Sequence, residues 1–323
     1  MDDQNQQPVA PEPAYEQIPS PPVLSFMDRH GIAPVAFAMI VLIAVFFTYQ
    51  IIGGIITYFL FGVNPTMNQV GGLRVVTGLG QIFLIFIPTM FFVRLATLTP
   101  AEFLRLRLPD IRTFIVPLIG IVSLQQMLQI YMIFQEKIPL PPEVEDVTRQ
   151  LKEMIDQLTK LLAGSASIPE LLWVILIIAL IPALVEEFLF RGLILRTFER
   201  QVGSLWAVVI TGIIFGAYHL NPFSFVPLVV LGVYLGFLAM RAGSLWASVA
   251  AHFYNNTYAC VTLYFNVDDN IVGTGNPDQM STGTLLVLFW FFGIIFIVST
   301  LYFMKITPGR KPSPDPGSGN VIQ

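Results

Sequence analysis

The sequence predicts an all-α polytopic bundle of transmembrane helices with about eight membrane spans, and three observations carry that prediction. The 323-residue chain is 54% hydrophobic and only 12% charged, with a mean hydropathy of +0.70, which leaves too little polar surface to coat a water-soluble globule. Its apolar residues gather in runs of roughly 20 or more, the length that crosses ~30 Å of hydrocarbon at ~1.5 Å per helical residue. Runs of that length indicate helices rather than barrel strands.

Residues 1–31 are polar, acidic and proline-rich (Pro8, Pro11, Pro13, Pro19, Pro21, Pro22). This is the reverse of a short basic region before a cleavable apolar core, so no signal peptide is predicted. The segment reads as a disordered tail, and the first span as an uncleaved anchor. N-terminal transmembrane helices fill 32–135, with spans expected at 34–61, 75–95 and 114–134. A loop follows over 136–170. Within it Val144, Val147, Leu151, Met154, Ile155, Leu158, Leu161 and Leu162 recur at helical spacing, which predicts an amphipathic helix that lies in the membrane interface or else packs on the protein itself.

Four more spans are expected within 171–265, at 171–195, 205–219, 225–240 and 245–265. Leu220-Asn221-Pro222 joins the second and third of these so tightly that they must form an antiparallel hairpin. Gly212-x-x-x-Gly216 and Gly232-x-x-x-Gly236 would let that pair approach closely. Residues 266–305 hold a loop and a last span at 284–304, and 306–323 a second disordered tail.

Charge sets the orientation. With the N-terminus inside, 12 of the 17 Lys and Arg residues fall on the cytoplasmic half, which predicts cytoplasmic termini and an integral protein of the cell (inner) membrane. The net charge of −4 and the lack of a basic, aromatic-interleaved cluster exclude nucleic acid as a partner. The partner that composition predicts is the lipid bilayer. The single cysteine, Cys260, reads as packing.

Gly203-Ser204-Leu205-Trp206-Ala207 recurs as Gly243-Ser244-Leu245-Trp246-Ala247, each time opening a span. Serine can cap a helix and tryptophan suits the headgroup boundary, so the two spans should start alike and run parallel.

Glu186 and Glu187 are the two acidic residues well inside a membrane run, where an ionised side chain costs ~2.5 to 3.5 kcal/mol on an insertion scale. Such a cost needs a reason. Arg191 follows Glu187 by four residues, in the favoured order of acid before base, and the two can largely neutralise each other. Glu186 is rotated by ~100° and points elsewhere. Of the three histidines, His219 ends one span and His252 lies inside another. His252 with Asn256, and Phe215 with His219, share a helical face at a spacing of four. A carboxylate beside an imidazole can hold and deprotonate a water, while a second imidazole and a carboxamide can donate to an oxyanion.

Three segments, Glu186-Glu187-Phe188-Leu189-Phe190-Arg191, Phe215-Gly216-Ala217-Tyr218-His219 and His252-Phe253-Tyr254-Asn255-Asn256, match in order the motifs Glu-Glu-x-x-x-Arg, Phe-x-x-x-His and His-x-x-x-Asn. In these the chain resembles the CAAX prenyl protease and bacteriocin-processing (CPBP) family, over about residues 171–265. The resemblance implies an intramembrane endopeptidase of the type II CAAX kind, with a peptide or membrane-protein substrate as its partner. It implies that Glu186 and His219 activate a water, that His252 and Asn256 line the oxyanion site, and that Glu187 and Arg191 brace the first motif beside Phe215. No cofactor is expected. Glu186, His219 and His252 could ligate zinc in the His₂Glu manner, but the chain has no His-Glu-x-x-His segment, and a metal-free hydrolase is the reading preferred.

Two other classes stay open. One is a non-catalytic membrane scaffold or bacteriocin immunity factor that keeps the motif residues for structure. The other is a proton- or cation-coupled transporter, for which symmetric interrupted helices in two halves are missing. One geometric point resists the hydrolase scheme. His219 follows Trp206 by 13 residues and His252 follows Trp246 by 6, a depth difference of ~10 Å if the two helices start level.

Overall fold

A computed structural model describes residues 23–63, 65–139, 141–267 and 280–307. Helices stand at all eight expected positions: α1 (Pro34–Phe61), α2 (Met67–Ala96), α3 (Arg112–Glu136), α5 (Ile168–Val202), α6 (Ser204–Tyr218), α7 (Phe225–Ala242), α8 (Leu245–Tyr264) and α9 (Thr282–Ile306), with the amphipathic α4 (Pro142–Ala163) between α3 and α5. Among the described residues no strand occurs. Six helices, α1, α2, α3, α5, α7 and α9, are long and apolar enough to cross a membrane by length and composition. The fold is therefore an all-α polytopic bundle. Two of the eight expected spans miss that standard for different reasons. Helix α6 is apolar but only 15 residues long, and α8 carries Ser248, His252, Asn255, Asn256 and Thr257 among its 20 residues.

The expected tails fall largely on residues 1–22 and 308–323, and the expected loop after α8 on 268–279, all outside the described residues. Residues 23–31 are described and are packed. Ser25 caps the one-turn helix Phe26–Arg29, Met27 is buried, and Asp28 pairs with Arg200 at 2.7 Å. Packing thus reaches into the segment expected as tail, because an apolar side chain and an ion pair anchor residues that composition alone marks as tail.

Helices α6 and α7 form the expected antiparallel hairpin, with their contact at the small residues. A Cβ on Gly212 would stand 2.7 Å from the Val233 backbone nitrogen, and one on Gly232 would stand 2.9 Å from the Gly212 carbonyl oxygen. Gly216 faces Phe225 and Val229 at similar range. Gly236 is the exception, since a Cβ there would meet only ordinary contacts with Val208. Close approach thus uses three of the four glycines. Helix α9 lies antiparallel to α3, with Ser299 donating to the Val116 carbonyl at 2.9 Å and Gly293 against Met127.

In both α2 and α5 a π-helical turn (Ile82–Phe86; Ile175–Leu180) precedes a proline, Pro88 or Pro182. The missing proline N–H frees a carbonyl of the preceding turn, and the helix widens to re-pair it. A second widened turn in α5, Phe188–Ile194, starts directly after Glu187.

The apolar stripe of α4 separates the two readings left open for it. Val144, Val147, Leu151, Met154 and Leu158 are exposed, while burial begins only at the last turn with Ala163. There Arg74 of α2, itself buried, donates to the carbonyls of Leu161, Leu162 and Gly164 and pairs with Glu170 at 2.8 Å. Packing on the protein accounts for the end of α4; its length presents an uncovered apolar face, the pattern an interfacial helix requires.

Candidate active site

The site is assembled where α5, α6 and α8 meet. Glu187 and Arg191, one turn apart on α5, form an ion pair at 2.6 Å in which neither side chain is exposed. The guanidinium also donates to the Gly232 carbonyl on α7 at 2.8 Å and lies over the Phe215 ring at 4.5 Å. Glu187 accepts a second time at the same oxygen, from His252 Nδ1 at 2.9 Å. One buried carboxylate therefore ties α5 to α8, while its arginine ties α5 to α7. Glu187 Oε2 and Arg191 Nε are buried with no hydrogen-bond partner among the described residues, so the bonds at Oε1 and at the two terminal guanidinium nitrogens carry the pair, and breaking either partnership strands a charge.

Glu186 faces the other way and makes none of these bonds. Its Oε2 stands 3.8 Å from His219 Nε2 and 3.9 Å from His252 Nε2, beyond direct hydrogen-bonding distance. The same oxygen is buried with no hydrogen-bond partner among the described residues. Exposure grades across the three, from 31% for the His219 side chain through 17% for Glu186 to 4% for His252. The opening of the site is on the His219 side.

The ring orientations follow from their partners. His219 Nδ1 lies 2.8 Å from the Phe215 carbonyl, and a carbonyl only accepts, so Nδ1 donates and Nε2 is the ring nitrogen turned toward Glu186. His252 Nδ1 likewise donates to a carboxylate, which leaves Nε2 facing Glu186. Phe215, fully buried, packs against both rings, at 4.6 Å from His219 and 5.8 Å from His252. That contact is the physical content of the phenylalanine in the second motif.

Asn256 is one turn beyond His252 on α8, and its recorded bond is to its neighbour: Asn255 Nδ2 donates to Asn256 Oδ1 at 3.2 Å. Among the described residues it makes no direct bond to the Glu186 cluster. The structure thus brings together Glu186, Glu187, Arg191, Phe215, His219 and His252, with Asn256 adjacent along the helix.

Several supporting residues lie outside the three motifs. Gln50 of α1 donates to the Tyr218 carbonyl at 3.1 Å, and the Tyr218 hydroxyl donates to the Leu42 carbonyl at 2.7 Å, so α1 braces the end of α6 that carries His219. Gln125 of α3 donates to Asn255. The available signal was an amide side chain inside each apolar run, polar groups that need partners within a membrane.

The two helices that carry the histidines begin in different surroundings, and α8 starts under a loop. The loop before α3 sends three successive carbonyls to it: Arg105 accepts from Leu245 N at 3.0 Å, Leu106 from the Trp246 indole at 2.9 Å, and Arg107 from the Ser244 hydroxyl at 2.7 Å. Arg105 sits at φ 55, a left-handed conformation uncommon for a side-chain-bearing residue. Burial, with Arg196 alongside and Glu199 opposing, lowers its pKa to about 10. Helix α8 thus starts packed under this loop, and His219 and His252 both reach Glu186 Oε2, at 3.8 and 3.9 Å.

A cavity of about 250 Å³ lies elsewhere, lined by Arg107, Asp110, Arg241 and Thr307 among others, and includes none of the motif residues. Among the described residues no group of three or more His, Cys, Asp or Glu is arranged to hold a metal ion. Glu186 Oε2 stands 3.8 and 3.9 Å from the two imidazole nitrogens, a few tenths of an ångström beyond the ~3.3 to 3.6 Å that separates ligands held tetrahedrally at ~2.0 to 2.2 Å.

No curated protein and no solved structure matches the chain. Residues 168–258 of this integral membrane protein match the family model described as type II CAAX prenyl endopeptidase Rce1-like, a protease family, and the resemblance carried by the three motifs is borne out over that segment.

Proposed function

We propose that the chain is an intramembrane endopeptidase that cleaves membrane-associated substrates of the CAAX type with a water activated by Glu186 and His219. The observation that carries this reading is the convergence of Glu186 Oε2 with two imidazole Nε2 atoms at 3.8 and 3.9 Å, on three helices. A water can donate to the carboxylate and to His219 Nε2 together, and either base can take its proton as the oxygen attacks a peptide carbonyl. In the proposed step His252, held at Nδ1 by the Glu187 carboxylate, donates from Nε2 to the developing oxyanion beside the Asn256 amide. Collapse of the tetrahedral intermediate breaks the C–N bond, and the proton held at Glu186 or His219 passes to the leaving amine. One water is consumed, and a carboxylate and an amine are released.

No step in this scheme needs a metal. The Lys and Arg distribution argues for termini in the cytoplasm; in that topology the His219 end of α6, where the site is most exposed, faces away from the cytoplasm. Labelling of single cysteines introduced at positions 30 and 98 tests this, since Cys260 is buried.

The deciding experiment compares cleavage of a quenched-fluorescent farnesylated CAAX peptide, and its unprenylated counterpart, by wild type and Glu186→Ala in detergent. Turnover should fall about 10²- to 10⁴-fold in the variant. Equal cleavage by both proteins overturns the protease reading in favour of a scaffold, and loss of wild-type activity in chelator overturns the metal-free scheme. Preference for the farnesylated peptide supports the CAAX class; equal use of both peptides removes it.

A further inference from the structure

The third span lies outside the segment matched to the family, yet it reaches the last motif through a directional chain of amides. Gln125 Nε2 donates to Asn255 Oδ1 at 3.1 Å and approaches the Asn255 carbonyl at 3.3 Å. Asn255 Nδ2 then donates to Asn256 Oδ1 at 3.2 Å.

A carboxamide has an accepting end and a donating end, and the two are not interchangeable. An N–H from α3 can meet only an acceptor, so it turns the Asn255 oxygen toward α3 and the Asn255 nitrogen toward Asn256. That nitrogen in turn occupies Asn256 Oδ1. Both N–H donors of Asn256 are thereby left for other partners, one turn along α8 from His252.

We propose that Gln125 is a positioning residue. Acting through Asn255, it fixes the Asn256 amide with its donors available to the oxyanion, which a flipped amide would instead repel. The inference rests on the protease reading above and adds to it a requirement from a helix that the motifs do not include. Oxyanion donors act through their orientation before the reaction, so a group that sets the orientation influences turnover more than substrate binding.

The fold tolerates the test. Gln126 donates to the Tyr258 hydroxyl at 3.2 Å, and Ile121 and Leu124 share an apolar cluster with Ala251, so α3 and α8 remain joined without Gln125. Gln125→Met keeps the side-chain length and removes the donor. Asn255→Asp keeps the acceptor for Gln125 and removes the donor to Asn256.

Steady-state kinetics of the full chain on the farnesylated peptide should show kcat lowered about 10- to 100-fold in each variant with KM within about twofold. Gln125→Met should cost nothing further in an Asn256→Ala background. A wild-type kcat in Gln125→Met, a loss carried by KM, or a full additional loss in the Asn256→Ala background would each overturn the inference. If Glu186→Ala is inactive while Gln125→Met is unaffected, this inference alone fails; if Glu186→Ala is fully active, the protease reading itself fails.

Discussion

The same five residues open α6 and α8, and the structure treats them differently. At 203–207 Leu205 is 71% exposed, Trp206 faces outward, and Ser204 makes no capping bond. At 243–247 Leu245 is 1% exposed, Ser244 caps the helix and donates to Arg107, and the Trp246 indole is held by Leu106. The difference continues to the histidine each helix carries. His219 is held by a backbone carbonyl of its own helix and stands partly open, whereas His252 is buried and held by a carboxylate from another helix. Identical local sequence therefore gives one helix that starts at the surface and one that starts beneath a loop. The environment decides which.

The largest effect expected from this contrast lies at the histidine supports. Glu187→Ala removes the buried partner of both Arg191 and His252, and should cost about 3 to 5 kcal/mol in denaturant unfolding in detergent. His219 has no equivalent weak point, since its partner is a main-chain oxygen, and His219→Ala should cost far less stability while losing activity. Comparable destabilisation by the two substitutions would show that the supports do not differ as described.

Next in size is the buried leucine. Leu245→Ala should destabilise by about 2 to 5 kcal/mol, and Leu205→Ala by no more than about 0.5 kcal/mol; thermal unfolding of the two variants side by side measures the gap. Ser244→Ala, which loses a cap and a bond to Arg107, should cost about 1 to 2 kcal/mol, with Ser204→Ala close to neutral in the same assay. The smallest expected effect is at the indoles. Trp246→Phe should lose about 1 kcal/mol with the bond to Leu106, and Trp206→Phe should leave unfolding unchanged. Equal costs in any of these pairs would mean that α6 and α8 start in the same surroundings.

Much of the architecture was legible before any coordinates. The eight helical segments, the α6–α7 hairpin, the amphipathic α4 and the i, i+4 pairing of Glu187 with Arg191 all follow from periodicity, and the structure places each where it was expected. The candidate site was legible as a residue list, because ionisable side chains inside apolar runs are rare enough to stand out. What did not show was how those residues are supported. Gln50 and Gln125 lie in spans with no motif, and a glutamine in an apolar run does not reveal which helix it will reach. The packed start at residues 23–31 was hidden for a related reason: one buried methionine and one ion pair outweigh the average composition of a segment.

The chain by itself determined the helices, their amphipathic faces and the identity of the groups whose burial demands compensation, since each depends on residues within a few turns of one another. Only the tertiary structure decided that Glu187 serves both Arg191 and His252, that Glu186 is left facing two imidazoles, and that α8 begins packed under a loop. Those outcomes rest on contacts between residues far apart in sequence, above all the three carbonyls of 105–107 that receive the start of α8, and no local pattern encodes where such a loop will lie.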